Sequence, residues 1–325
     1  MLSISDCREI VNRYIYELKL PEFPQNLYDP IKYTLQLEAK RLRPSLTLLA
    51  CNLYSEDISR AIYPALAIEV FHNFTLVHDD IMDRSERRRN NPTVYVKWNP
   101  DIAILSGDAM LIKSYELLSH PSVTHLGMIL PVFNDTALKV CEGQQYDMDY
   151  ENSSNPVSIE EYLRMVEYKT AVLVAASLKI GALCGGATDS EAETLYQFGR
   201  NIGIAFQLQD DFLDTFGDSG NFGKTTGNDI VTNKKTILLI EALNAASPAA
   251  REQLIRWIGT KQFDRDEKIT AVKEIYSSLN IENIVAQKIR QYHEKAIQYL
   301  DSLQTDDQKK SELRNFSQYL MKRNK

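Results

Sequence analysis

The chain has 325 residues, 44% of them hydrophobic, which is enough for one large domain with a sizeable core. Its net charge is −7, so no basic surface for binding nucleic acid is indicated. The four cysteines are widely spaced and form no CxxC pair, which argues against a disulfide framework or a zinc site and favours a reducing compartment.

The sequence predicts neither export nor membrane insertion. Its first residues, MLSISDCREIV, lack the basic start and apolar run of a signal peptide. The most apolar stretch, 171–178, lies between Lys169 and Lys179 and is too short to span a bilayer. We therefore expect a soluble, cytoplasmic protein without a transmembrane segment.

Helix-period apolar patterns recur along the chain, while glycine (13) and proline (11) are scarce. In chain order, the strongest patterns predict helices over 62–77, 103–118, 163–183 and 195–216. Breaks are predicted at Pro21–Pro24, Asn90–Pro92, Pro121, Ser153–Pro156, Gly185–Gly186, Gly217–Gly227 and Ser247–Pro248. From Asp266 onward the chain is charged and without a chemical signature, and we expect a solvated outer helix pair. Since no low-complexity linker interrupts the sequence, we predict one all-α domain over 1–325, a bundle of ten or more helices.

Two acidic clusters of the same shape follow apolar helices, in LVHDDIMD at 76–83 and QLQDDFLD at 207–214. Because positions i and i+4 lie on one face of a helix, Asp79 and Asp83 project together, with Asp80 beside them. The second cluster repeats this arrangement with Asp210, Asp211 and Asp214. Carboxylates this close repel one another unless cations are bound, and Mg²⁺ with substrate phosphates fits them. One such cluster is equally typical of a solvated helix end, but two favour a pocket with both clusters at its mouth.

Basic residues stand beside both acidic clusters, although the chain as a whole is acidic. They are Lys40, Arg41 and Arg43 in KRLRP, near a helix start; Arg87, Arg88 and Arg89 after the first cluster; Lys169, followed by Thr170; and Lys224 and Lys234, which flank Asp229. Each group alone is more typical of a solvated basic patch. Their placement beside acidic motifs indicates binding of diphosphates, which require arginine and lysine as well as metal.

Several further motifs occur in a fixed order with these clusters. They are KRLRP (40–44), HDDIMD (78–83) followed by RR and PT, GDAML (107–111), GQQYDMD (143–149), YKT (168–170), FQLQDDFLD (206–214), GK (223–224) and DIVTNKKT (229–236). In these motifs the chain resembles the trans-isoprenyl diphosphate synthase (polyprenyl synthetase) family from about residue 30 to 240. The resemblance implies the isoprenoid synthase type I fold, with helices around a deep central cavity, and a homodimer. It also implies condensation of isopentenyl diphosphate with an allylic diphosphate, using about three Mg²⁺ ions per active site, or Mn²⁺ in their place.

The resemblance also implies roles for single residues. Two metal ions would be held by Asp79, Asp80 and Asp83, and a third by Asp210 and Asp211, with Asp214 supporting them. The allylic diphosphate would be bound by Arg88, Lys169, Thr170, Lys224 and Lys234. Isopentenyl diphosphate would be bound by Lys40, Arg43, His72 and Arg89. Gln207 would line the junction of the two substrates, and Gln144 and Asp147 would support the metal site.

Three positions depart from the family pattern. The paired glycines before KRLRP are Glu38 and Ala39, and the glycine after the double arginine is Asn90. The backbone approach to isopentenyl diphosphate is therefore expected to differ. A carboxylate at Glu38 also needs a cation, and Lys40 or Arg41 is the candidate.

The residues below the first acidic cluster predict product length. A helix rises about 1.5 Å per residue, so residue 71 lies about 12 Å below Asp79. Thr75 is small, whereas Phe71 and Phe74 are bulky, and in this family an aromatic at Phe74 without one at Thr75 resembles a C20 pattern. We therefore predict geranylgeranyl diphosphate as product, with C15 farnesyl diphosphate as the alternative. The competing interpretation is that both phenylalanines only pack against neighbouring helices.

Two other functions fit parts of the sequence. A class I terpene cyclase shares the helical fold and one DDxxD, but its second motif should read NDxxSxxxE. The stretch 228–232 begins like that motif, yet no glutamate completes it and the second aspartate cluster is intact. A non-catalytic subunit of a heteromeric prenyl synthase usually lacks one aspartate motif, and both are present here.

Overall fold

The computed structural model describes residues 2–153, 155–217 and 226–321, and these are helical almost throughout. Within these ranges the only strands, β1 (Arg87–Arg88) and β2 (Asn91–Pro92), form a short antiparallel hairpin. The helices before the hairpin are α1 (Ile4–Glu17), α2 (Gln25–Gln36), α3 (Leu42–Tyr54) and α4 (Ser59–Met82). Those after it are α5 (Val94–Lys97), α6 (Pro100–Leu118), α7 (Leu126–Asn152), α8 (Ile159–Val166), α9 (Val172–Gly185), α10 (Asp189–Phe216), α11 (Asn228–Val231), α12 (Ile237–Ala245), α13 (Pro248–Gly259), α14 (Arg265–Ser278), α15 (Ile281–Ser302) and α16 (Asp307–Met321). The prediction of an all-α fold with ten or more helices is confirmed.

Local sequence explains where several helices begin. Ser3 and Asp6 form a capping box at the start of α1, and Ser158 and Glu161 form another at the start of α8. The side chain of Asn99 accepts a hydrogen bond from the backbone of α6, whose first residue is proline. The predicted breaks lie between helices or at their ends, apart from the glycine-rich break after α10, most of which falls outside the described residues.

Contacts along the chain group into two compact units. Unit 1 comprises Met1–Thr136, Leu173–Tyr196 and Leu303–Leu313, and unit 2 comprises Ala137–Val172, Gln197–Ser302 and Arg314–Lys325. The single domain expected over the whole chain stays a prediction.

Helix α4 is the central element of unit 1. It packs against α3 and α6 and is buried along most of its length, for example at Leu66, Val70 and Phe71. A helix enclosed on all sides needs an apolar sequence around its whole circumference, which is what residues 62–77 supply. Helix α9 approaches α3 so closely that a Cβ on Gly181 would lie 2.1 Å from a backbone oxygen of α3. In unit 1, α4 and the acidic cluster at its end are thus held by closely packed helices.

The core of unit 2 includes the C-terminal helices, so the expectation of a solvated outer helix pair is wrong. Helices α14 and α15 bury Val272, Tyr276, Val285 and Ile289 in a hydrophobic cluster with residues of α8, α10 and α12. Their apolar residues recur every three or four positions between charged ones, which gives a narrow buried stripe on a polar helix. The prediction was wrong because it relied on the high content of charged residues and overlooked this narrow apolar stripe.

One helical stretch, Ile159–Gly185, is long and apolar enough to cross a membrane by length and composition alone. It is longer than the apolar run 171–178 suggested, because α8 continues into α9 through a π-helical segment, Glu167–Ala171. In its most apolar window, 67% of the residues are buried inside the protein. A core helix of a globular protein has the same composition.

Candidate active site

The first acidic cluster lies at the C-terminal end of α4, in unit 1. Asp79 and Asp80 belong to the last turn, and Asp83 follows the last helical residue while keeping helical dihedral angles. The N–H of Asp83 donates to the carbonyl of Asp79 at 2.8 Å, so the i, i+4 relation of the motif is retained. Asp80 is only 4% exposed, whereas Asp83 is exposed. The cluster therefore runs from the protein interior to the surface.

Arg88, on strand β1, neutralises the buried part of this cluster. Its Nε donates to Oδ1 of Asp80 at 2.8 Å, and its Nη2 donates to Oδ2 of Asp79 at 3.2 Å. Burial raises the pKa of Asp80, and the Arg88 guanidinium opposes that rise. The two carboxylates in turn raise the pKa of Arg88. The structure thus brings together three residues that the sequence assigned to one diphosphate site.

The hairpin tip has left-handed backbone at both central residues, Arg89 (φ 52°) and Asn90 (φ 62°). Two positive φ angles in a two-residue loop are typical of a type I′ turn, whose preferred residues are asparagine and glycine. Asn90 therefore supplies the conformation that the missing family glycine would supply. Arg89 is not a residue that favours this region, so the hairpin holds it in a strained conformation, as is common at functional sites.

A concentration of positive charge surrounds His72, which lies about two turns before Asp79 on α4. Nη1 of Arg43 lies 3.1 Å from Nε2 of His72, and Nε of Arg43 is buried without a hydrogen-bond partner. Burial, together with the charges of Arg43, Arg89 and Arg88, holds the pKa of His72 well below its usual range. A neutral imidazole and a buried guanidinium with an unused donor form a ready anion site.

Arg41 has a structural role that the sequence did not reveal. It is 4% exposed and its Nη1 donates to Oε1 of Glu69 at 2.6 Å, while Nη2 donates to the carbonyl of Leu37 at 3.1 Å. Asn73 also donates to Oε1 of Glu69, at 3.0 Å. The buried network ties the start of α3 to α4. Arg41 therefore pairs with Glu69 rather than with the exposed Glu38, and Lys40 is left exposed at the start of the KRLRP segment.

The residues assigned to product length are buried in an aromatic cluster. Phe71 is 1% exposed and its ring centroid lies 5.3 Å from that of Phe133 and 5.6 Å from that of Phe74. Phe74 is 8% exposed and contacts His78 edge to face. Thr75 donates to a backbone carbonyl of its own helix and is partly exposed. Their role in product length stays a prediction, since packing alone also accounts for Phe71.

The second acidic cluster lies on α10, in unit 2, and is centred on Asp211, which is 3% exposed. Its Oδ2 accepts a short hydrogen bond from the hydroxyl of Tyr162, and its Oδ1 accepts one from Nε2 of Gln207 at 3.1 Å. Burial raises the pKa of Asp211, against the opposing effect of Lys234. Burial also holds the pKa of Tyr162 well above its usual range, so the hydroxyl stays a donor. Tyr162 was not predicted, because an isolated tyrosine in an amphipathic helix carries no sequence signal.

The π-helical segment 167–171 carries Lys169 and Thr170. Nζ of Lys169 pairs with Oδ2 of Asp147 at 2.6 Å, and the hydroxyl of Thr170 donates to Oε1 of Gln207 at 3.2 Å. Single-turn π segments of this kind occur frequently at functional sites. They widen one turn and thereby turn side chains away from the normal helical direction.

Two glycines allow neighbouring helices to reach this segment. A Cβ on Gly143 of α7 would lie 2.2 Å from the backbone nitrogen of Lys169, and one on Gly203 of α10 would lie 2.6 Å from Cα of Ala171. Only glycine permits such contact. Gln144, next to Gly143, has a buried Nε2 without a hydrogen-bond partner.

The remaining predicted residues of unit 2 lie at and after the end of α10. Asp210 is partly exposed beside Asp211. Oδ2 of Asp214 accepts the N–H of Asp229 at 2.9 Å, so this carboxylate holds the segment that follows the second motif. Lys224 lies outside the described residues. A pocket in this unit is lined by Asp147, Tyr162, Met165, Val166, Lys169, Thr170, Gln207, Asp211 and Lys234.

The carboxylates of the two acidic clusters are suited to Mg²⁺ that is bound together with a phosphate ligand. Carboxylate oxygens are the ligands that this ion prefers, usually one or two per ion, with water and substrate phosphate completing its coordination. Among the described residues, no group of three or more His, Cys, Asp or Glu side chains forms a self-sufficient metal cage. Each cluster has a cation suited to phosphate: Arg88 contacts Asp80 in unit 1, and Lys169 lines the pocket of Asp211 in unit 2.

The chain is similar to a protein-family model, to characterised relatives and to solved structures. A family model described as polyprenyl synthetase matches residues 24–279. The geranylgeranyl diphosphate synthase of Methanosarcina mazei is 43% identical over 234 residues, 71% of this chain and 72% of that protein. The geranylfarnesyl diphosphate synthase of Natronomonas pharaonis is 38% identical over 258 residues, 74% of this chain and 75% of that protein. A crystal structure of a geranylgeranyl pyrophosphate synthase is 39% identical, with a TM-score of 0.94 and 99% of both chains covered.

Proposed function

The chain belongs to the polyprenyl synthetase family, and from that premise we propose that it joins isopentenyl diphosphate to an allylic diphosphate. The favoured product is C20 geranylgeranyl diphosphate. The observation that carries this proposal is the pairing of the buried Asp80 with Arg88, beside an arginine cluster with an unused donor on Arg43. A protein with a net charge of −7 concentrates positive charge here, which anionic substrates require.

Isopentenyl diphosphate is assigned to the arginine cluster of unit 1. Arg43 offers the buried Nε, and Arg89 is held in a strained conformation at the hairpin tip. His72 stays neutral because of its lowered pKa, so it can accept or donate one hydrogen bond without adding charge. Lys40, exposed at the start of the KRLRP segment, is assigned to the same ligand.

The allylic diphosphate is assigned to Arg88, Lys169, Thr170 and Lys234, with Lys224 implied by its motif. Asp79, Asp80, Asp83, Asp210 and Asp211 are the proposed ligands of Mg²⁺. When bound, the ion neutralises the diphosphate and makes it a better leaving group. Arg88 contacts Asp80 in unit 1, and the hydroxyl of Tyr162 contacts Asp211 in unit 2. These contacts orient the carboxylate oxygens before Mg²⁺ binds.

The reaction needs no protein nucleophile. The C–O bond to the allylic diphosphate breaks, the double bond of isopentenyl diphosphate forms the new C–C bond, and the proton lost goes to the departing diphosphate. The chain's own contribution is to bind and orient both diphosphates and to keep water from the allylic cation. Lys169 and Thr170, fixed on the π segment, orient one of them.

Product length is assigned to Phe74 and Phe71. The relatives include C20 and C25 synthases at similar identity, so similarity alone does not set the length. Phe74→Ala and Phe71→Ala remove bulk below Asp79, and we expect Phe74→Ala to give longer products. Chromatographic sizing of the products tests this. Unchanged chain length in both variants would leave the phenylalanines with a packing role only.

The reaction itself is tested by incubating the protein with Mg²⁺, isopentenyl diphosphate and a C5, C10 or C15 primer, followed by mass analysis. We expect isopentenyl diphosphate to be consumed and C20 diphosphate to accumulate. A hydrocarbon formed without isopentenyl diphosphate would indicate a terpene cyclase. A protein inert with all three primers would indicate a non-catalytic subunit.

A cytoplasmic homodimer is also proposed. Helix α6 exposes large apolar side chains at Ile104 (44%), Leu105 (60%) and Ile112 (68%), on a unit whose other large apolar residues are mostly buried. Exposed apolar patches on a folded chain mark contact surfaces. Light scattering should give twice the mass of the chain, and Leu105→Glu with Ile112→Glu should lower it.

A further inference from the structure

The segment 226–236, which follows the second acidic cluster, carries Asp229 and Lys234 and has little structure of its own beyond the short α11. It is attached to α10 through Asp214, which accepts the backbone N–H of Asp229 at 2.9 Å. Within the segment, the N–H of Lys234 donates to the carbonyl of Asp229 at 2.9 Å. It is also attached to α13, to α14 and, through Nζ of Lys235, to the carbonyls of Ser153 and Asn155 before α8.

Lys268, on α14, donates two hydrogen bonds to the segment 226–236. It is 1% exposed, and its Nζ donates to Oδ1 of Asn233 at 2.6 Å and to the carbonyl of Val231 at 3.4 Å. The ammonium also lies 4.2 Å from the ring centroid of Phe263. In the described part of the chain this lysine makes no ion pair. A buried ammonium without a carboxylate is unfavourable, and burial lowers its pKa.

Asn233, which accepts the hydrogen bond from Lys268, directly precedes Lys234. Its backbone is left-handed, with φ 58°, and its Nδ2 donates to the carbonyl of Ile258 at 3.1 Å. Both ends of the amide are therefore held, which fixes the peptide leading into Lys234. Lys234, Asn233 and Lys268 line one pocket, and Lys234 also lines the pocket that contains Asp211.

We propose that Lys268 is a positioning residue, which sets Lys234 for the allylic diphosphate through Asn233. Packing does not explain a lysine here, because methionine has a similar length and would fill the space without a buried charge. The proposal rests on the proposed function, since Lys234 is assigned to that diphosphate there. It extends the site to α14, a helix without any sequence motif.

The test is Lys268→Met, with steady-state kinetics for both substrates and a melting curve. We expect the KM for the allylic diphosphate to rise about tenfold, as for the loss of a charged hydrogen bond. The KM for isopentenyl diphosphate should change less than about twofold, and the melting temperature should not fall, because an unpaired buried charge is removed. A purely structural lysine would not separate the two KM values in this way.

Asn233→Gly is the second variant, because glycine accepts the left-handed backbone without strain. It should raise the same KM, and Lys268→Met should add little in its background. Lys310→Met is the control: this lysine is also buried, at 4% exposure, but it donates to the carbonyl of Leu303 and pairs with Asp307, both in unit 1. It should leave both KM values unchanged.

Three results would overturn the proposal: an unchanged allylic KM in Lys268→Met, equal shifts of both KM values, or full additivity with Asn233→Gly. A wild-type protein without activity would contradict the proposed function instead. The two failures are thus distinguishable.

Discussion

Asp80 and Asp211 are both almost withdrawn from solvent, at 4% and 3% exposure, yet their surroundings differ. Asp80 contacts the guanidinium of Arg88, a permanent cation, whereas Asp211 accepts hydrogen bonds from neutral groups of Tyr162 and Gln207. Burial raises the pKa of each. The charge of Asp80 is thus stabilised by an ion pair with Arg88, and that of Asp211 by the nearby charge of Lys234 together with its two hydrogen bonds.

Tyr162→Phe should reduce activity without changing the fold. The substitution keeps the ring in the core and removes only the hydroxyl that donates to Asp211. Loss of a hydrogen bond to a charged group corresponds to about 1.5–3 kcal/mol, or roughly a tenfold to hundredfold fall in kcat/KM. Titrating activity with Mg²⁺ at saturating substrates should show a higher half-saturating concentration. An unaltered Mg²⁺ response would show that Tyr162 is only a packing residue.

His72→Gln should change how stability depends on pH. The pKa of His72 is depressed in the folded protein, so below about pH 6.5 only the unfolded chain takes up its proton and stability falls. At pH 5.5 this amounts to about 1.4 kcal/mol, and glutamine removes it. Urea unfolding of both proteins at pH 7.5 and 5.5 measures the difference. Equal losses in both proteins would mean that His72 is protonated when folded.

The carboxylates and cations of the candidate site stand out in the sequence, but the residues that contact and orient them do not. Tyr162 and Asp211 are 49 positions apart, and Arg41 and Glu69 are 28 apart. Pairs this distant have no local pattern, and only the packed fold brings them together. The contact of Glu69 also explains why Arg41 differs in role from Arg43, two positions later.

Among the elements of the fold, the π segment 167–171 shows how helix packing positions two of the candidate ligands, Lys169 and Thr170. Gly143 lets α7 contact the backbone at Lys169, and Gly203 lets α10 contact Ala171. The sequence predicted one regular helix over 163–183, because a single widened turn leaves the apolar periodicity nearly intact. The segment that carries two predicted ligands was therefore placed correctly, but its irregularity was not foreseen.

Gly143→Ala tests this packing. Its Cβ would lie 2.2 Å from the backbone nitrogen of Lys169, so α7 or the π segment must shift, which costs about 1–3 kcal/mol. The melting temperature and kcat should both fall. Gly127→Ala is the control on the same helix, because nothing lies within 4 Å of its Cβ and alanine favours a helix. Equal behaviour of the two variants would refute a role for the close contact.

At the scale of the whole molecule, long periodic segments were the most predictable part. The predicted ends of helices α4, α6 and α10 lie within six residues of the observed ones, since strong apolar periodicity coincides with their buried faces. The C-terminal helices were misjudged, because α14 and α15 bury only a narrow stripe among charges. At the hairpin tip, the departure from the family pattern has little structural effect. Asn90 stands where the family has glycine, and its backbone is left-handed as a glycine there would allow.

The function proposed for the molecule requires both acidic clusters to act in one reaction. Transfer of labelled isopentenyl diphosphate to a C15 primer, measured for the wild type, Asp80→Asn and Asp211→Asn with and without Mg²⁺, tests this most directly. We predict Mg²⁺-dependent formation of C20 diphosphate by the wild type and a loss of at least about a hundredfold in each variant, as expected when a charged ligand is removed. Full activity in either variant, or transfer by the wild type that is unaffected by chelation, would contradict it.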